Sequence, residues 1–134
     1  MPGDIDELII AINTKASDAT LLAVTSDVYF SHVPGDKTLP WITFDLISET
    51  PVRTFNENGD WQEAIVQFSL YDDSDDSSTI NQMYSDLNVV FDRATLTYDS
   101  KTHISCAREG STGPTWFGED RVWQMTADFR IRWQ

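Results

Sequence analysis

The sequence predicts an α+β fold: a mostly antiparallel sheet with a long β-hairpin, packed on one face by amphipathic helices. Three observations predict it. Trp123, Met125, Ala127, Phe129, Ile131 and Trp133 alternate with Gln124, Thr126, Asp128, Arg130 and Arg132, the period of a strand buried on one side. Ile80, Met83, Tyr84, Leu87, Val90 and Phe91 recur at i, i+3, i+4 and i+7, the stripe of a helix packed on that sheet. Two more alternating runs, 41–49 and 62–71, flank the turn signal Asn58-Gly59.

Taken in order, Ile5, Leu8, Ile9 and Ile12 predict a first helix facing the core, opened by Asp4 with Glu7 three residues on in the manner of a capping box. Asp18 is placed to cap a shorter helix carrying Leu21, Leu22 and Val24. A small strand, Val28-Tyr29-Phe30, runs into a Pro/Gly turn, and the first long strand follows Leu39-Pro40 directly.

Parity constrains the hairpin. Ile42, Phe44 and Leu46 share one face of their strand, and Ala64, Val66, Phe68 and Leu70 share one face of the next. Opposed residues share a face, so their numbers must sum to an even value. A two-residue turn at Asn58-Gly59 gives an odd sum, whereas a three-residue turn with Gly59 in a G1 bulge pairs Asn56 with Asp60. That register sets Leu46 opposite Leu70 and Phe55 opposite Trp61, away from the core and near the tip of an arm. Large aromatics at an exposed tip suit an assembly contact as well as hairpin support.

Asp72-Asp73-Ser74-Asp75-Asp76 leads into the amphipathic helix, with acids favourable to its dipole. Strands 95–98 and 102–108 are expected next, joined at Asp99-Ser100, and then a loop over 110–118 that holds Trp116 and Phe117 before the last strand.

At 134 residues the chain is expected to form one domain, spanning 1–134, with a core large enough to fold without staples or metal. Five Trp, four Tyr and seven Phe argue for a packed globule. Twenty-two acids against nine bases, a net charge of -13, argue against affinity for phosphate backbones or anionic membranes. The single cysteine, Cys106, excludes an internal disulfide. The apolar run 8–12 is too short and too acid-flanked for a signal peptide or membrane span, so synthesis in the cytoplasm is expected.

No enzyme chemistry, cofactor or metal is predicted. His103 and Cys106 lie three apart on an expected strand and would point to opposite faces. The acidic run lacks the calcium-loop pattern, with Ser77 at position six and Met83 at position twelve. Gly110 and Gly113 are followed by no Lys, and Pro114 removes an amide donor, so they make a poor phosphate loop.

From about residue 20 onward the chain resembles the tail-completion proteins (tail terminator, head-tail joining) of long-tailed bacteriophages. The resemblance rests on Val28-Tyr29-Phe30, Val33-Pro34, Leu39-Pro40-Trp41-Ile42, Val66-Gln67-Phe68-Ser69-Leu70-Tyr71-Asp72, the helix ending at Phe91, and Thr126-Ala127-Asp128-Phe129-Arg130. It implies a structural virion protein at the head-proximal end of the tail, commonly a hexameric ring. Such a ring caps the tail tube protein, meets the head connector and neck proteins, and lets DNA pass without binding it. On that reading Phe55, Trp61, Trp116 and Phe117 are subunit or tail and neck contacts, while Glu57, Asp60, Glu63, Asp72, Asp73, Asp75 and Asp76 form an acidic lumen or surface. An acidic DNA-mimic inhibitor, or another protein-interaction module, is the alternative. It explains the charge but not the Leu-Pro approach to the strand or the aromatic tip.

Overall fold

The computed structural model describes residues 4–52 and 61–134. Three helices, α1 (Asp4–Ala16), α2 (Ala19–Leu22) and α3 (Ser78–Phe91), lie with five strands: β1 (Val28–Phe30), β2 (Trp41–Val52), β3 (Trp61–Asp72), β4 (His103–Phe117) and β5 (Val122–Trp133). The strands form one sheet in the order β1-β2-β3-β5-β4. All pairs are antiparallel except β1 with β2, so the α+β expectation is met.

The alternation of β5 does what its pattern demands: Met125, Ala127, Phe129, Ile131 and Trp133 are buried. Against them α3 buries Ile80, Met83, Leu87, Val90 and Phe91, and α1 adds Leu8, Ala11, Ile12 and Ala16. Phe68 sits at the centre, with ring centroids 5.8 Å from Phe44, 4.9 Å from Phe91 and 5.4 Å from Phe129. Such pairs add roughly 0.5–1.5 kcal/mol each beyond area burial. Asp18 caps α2 as expected, accepting from the Thr20 amide at 2.8 Å.

The hairpin register differs from the sequence expectation. Leu46 opposes Val66 rather than Leu70, and Ile42 takes Leu70. Parity permits either offset, and the observed one stacks Phe44 on Phe68. A bulge between Leu46 and Ser48 then reverses the parity, so Glu49 opposes Ala64 and Trp61 opposes Val52. Trp61 therefore does not take Phe55 as its partner, and Phe55, Glu57 and Asp60 lie outside the described residues.

Two other segments depart from expectation. Residues 95–98 form no strand, although Leu96 and Tyr98 are buried as a strand would bury them. The expected loop over 110–118 is instead the second half of β4, which stays paired to β5 through Phe117 opposite Val122. Gly113, at φ 102, supplies a backbone shape that L side chains rarely adopt, and register shifts absorb it together with Pro114. Glu7, expected to reach back over the start of α1, is instead buried and reaches Ser100.

Candidate assembly surfaces

One end of the sheet gathers two groups that the sequence holds more than forty residues apart. Trp116, 41% exposed, packs on Trp123 with centroids 5.3 Å apart and planes at 59°. Trp123 in turn donates its indole N–H to the Ser74 carbonyl at 3.1 Å, which ties the end of β4 to the acidic segment 72–76. Phe117, 43% exposed, pairs with Val122 and borders a shallow hollow of about 160 Å³ shared with Thr112, Thr115 and Gln124. A rigid aromatic surface with acids beside it is the result. The Trp123 bond was not foreseen; its indole on the apolar side of β5 was the available signal.

The acids divide into three kinds. Asp72 is 1% exposed, so the expectation that it faces outward is corrected: its carboxylate accepts from the Ser74 amide at 3.1 Å and shapes the turn into α3. Asp73, Asp75 and Asp76 are exposed. Asp76 accepts from both the hydroxyl and the amide of Ser78, at 2.6 and 3.0 Å, and those bonds hold its carboxyl below the usual range. It stands outside the first turn of α3, which itself contains no acid. Glu63 lies on the helix-free face of the sheet and is paired, 3.3 Å from Arg130 and 2.7 Å from Arg132, with Glu109 also 2.5 Å from Arg130. Two guanidinium groups thus balance its charge within the chain.

Trp61 is half-buried, and its indole N–H is enclosed without a hydrogen-bond partner. A bulge between His103 and Ser105 overturns the expectation that His103 and Cys106 face opposite ways, because His103 opposes Trp133 and Cys106 opposes Ile131 on one side of the sheet. His103 Nδ1 accepts from the Leu96 amide at 3.3 Å, and burial lowers its pKa. Burial pushes the Cys106 thiol up to about 12, far from a reactive thiolate. Among the described residues no three His, Cys, Asp or Glu side chains gather as a metal cluster, and no helix is long and apolar enough to cross a membrane.

No family model and no curated protein matches the sequence. Solved structures do. A chain from the virion of a native gene transfer agent particle superposes with a TM-score of 0.79 at 16% identity, covering 99% of this chain and 98% of that one. A second solved structure gives a TM-score of 0.65 at 15% identity, covering 99% and 97%. Identities this low show a shared fold over nearly the whole chain, with every strand and helix described above included in its span.

Proposed function

We propose that this protein is a structural component of a phage-like virion, placed at the head-proximal end of the tail, where copies form a ring. The ring caps the tail tube and offers the surface that joins the head connector. One observation carries the reading: the end-to-end fold likeness to a chain of a gene transfer agent virion, at a TM-score of 0.79. The resemblance of residues 28–44, 66–72 and 126–130 to tail-completion proteins supports the narrower placement.

The physics suits such a part. A net charge of -13 discourages adhesion of passing DNA, over a screening length of about 8 Å at physiological salt. Asp73, Asp75 and Asp76 are among the exposed carboxylates available for that repulsion, in a segment that Ser74 ties to Trp123, on which Trp116 packs as the surface where a tail or neck partner would dock. The role assigns the chain no catalytic step and no cofactor.

Electron microscopy of particles produced with and without this chain tests the proposal. Tails of irregular length, or tails separated from heads, are expected in its absence. Normal tails fully joined to heads would overturn it.

A further inference from the structure

The two lateral margins of the sheet can be compared height by height through the strand register. On one margin β1 covers β2 only from Ile42 to Phe44. Beyond that point no strand flanks the outer side of β2 among the described residues. There the bulge leaves Ile47 56% exposed, between half-buried Asp45 and exposed Glu49. On the other margin a groove of about 350 Å³ runs along β4, lined by Arg93, Ala94, Thr95, His103, Ile104 and Ala107 among others. Ile104 is 42% exposed there, and Arg93 and Arg108 are exposed at the end nearer Ala107.

Leu46 opposes Val66, Val66 opposes Phe129, and Phe129 opposes Arg108. Past the bulge, Glu49 opposes Ala64, Ala64 opposes Ile131, and Ile131 opposes Cys106, whose carbonyl accepts from the Arg93 amide at 2.8 Å. Ile47 thus stands near the height of Arg108 and Ala107, and Glu49 stands at the height of Arg93, whereas Asp45, opposite Gln67, faces the other side of the sheet. An exposed aliphatic side chain followed by an acid on one margin meets, at matching heights, the end of the groove where Ala107 and Arg93 stand on the other.

Charge favours the same match. In a chain with 22 acids and 9 bases, residues 92–118 carry three bases, Arg93, Lys101 and Arg108, against three acids, Asp92, Asp99 and Glu109. That margin can approach another acidic copy without the repulsion of the chain as a whole. Backbone pairing is not the means. At this height the edge of β4 is already occupied, since Arg93 donates to Cys106 and the Arg108 amide donates to Asp92 at 3.1 Å, and Pro51 removes a donor from β2.

We propose that copies of this chain associate side by side and head to tail, with Ile47 and Glu49 of one copy seated against the groove of the next where Ala107 and Arg93 line it. Such a contact is heterologous, and it closes into a ring when the rotation between copies permits. The inference rests on the virion reading for its setting and names the lateral contact of that ring.

The test is a full-length chain carrying Ile47→Cys with Ala107→Cys, oxidised at high concentration and, separately, within purified particles, then run on a non-reducing gel. A ladder of dimer, trimer and higher species is expected, while neither single variant extends beyond a dimer. As a second measurement, Glu49→Arg or Arg93→Glu alone weakens self-association about tenfold in sedimentation, and the two together restore it. A double-cysteine chain that stays monomeric in both settings overturns the contact, even where the chain is present in the particle. Laddering in solution with the chain absent from particles keeps the contact and overturns the virion reading instead. A double charge reversal that associates no better than the single ones also overturns the contact.

Discussion

Glu7 grips Ser100 with both carboxylate oxygens, one 2.6 Å from the amide nitrogen and the other 2.5 Å from the hydroxyl. The bond joins α1 to the turn before β4, 93 residues along the chain, and only 2% of Glu7 is exposed. The Ser100 hydroxyl and amide hold its carboxyl below the ordinary value of 4.5. A carboxylate depressed in the folded state contributes stability that is fully present above the unfolded value and is lost as pH falls through the folded one. The melting temperature of the native chain should therefore drop below pH 4.5 more steeply than that of Glu7→Gln, which starts lower at pH 7. Parallel melting curves for the two proteins across that range would count against this bond.

Phe129 is fully buried and touches both Phe68 and Phe91, at 5.4 and 6.2 Å between centroids. Phe129→Ala should cost about 3–5 kcal/mol in urea unfolding, through lost burial and the cavity left behind. Val89→Ala, on a side chain 73% exposed, should stay within about 0.5 kcal/mol. Equal effects from the two would contradict the placement of the core.

Gly113 has φ 102, and a Cβ built on it would stand 2.9 Å from the Gln124 carbonyl oxygen and 3.3 Å from the Met125 Cα. Both obstacles are backbone atoms. Gly113→Ala should destabilise the protein by about 1–3 kcal/mol and disturb the near-ultraviolet circular dichroism of the Trp116 and Trp123 pair. A neutral substitution would show that β4 passes β5 along another path.

Trp116 and Phe117 are exposed but held by a paired strand, so their removal should separate assembly from folding. Trp116→Ala with Phe117→Ala should lower subunit stability by only about 1 kcal/mol, chiefly the lost packing on Trp123. Incorporation into particles should fall by the equivalent of about 2 kcal/mol or more, as for an aromatic anchor at an interface. Unchanged incorporation would remove this surface from the list of contacts.

The elements most legible in the sequence were those whose burial repeats without interruption. Phe129 could be placed because ten neighbours alternate around it, and Leu87 because its stripe runs unbroken through α3. Irregularity hid the rest. Ile47 occupies a bulge that no pattern announces, and that one extra residue changed which side chain faces Trp61. Gly110, Gly113 and Pro114 read as loop because local propensity favours turns there, yet pairing with β5 prevailed. Asp72 read as a solvated acid since neither burial nor the Ser74 amide is visible in a run of aspartates. Leu96 shows the converse: it has the burial of a strand residue, but its amide goes to His103 rather than to a ladder.

The three register shifts along β4 carry a consequence for the protein before it is used. An uninterrupted, uncovered strand of 15 residues is a template on which identical chains stack into fibres, and the danger grows with concentration. A kinked strand with a proline near its end offers no such template. The same irregularities that obscured β4 in the sequence thus work against edge-to-edge stacking of one copy on another.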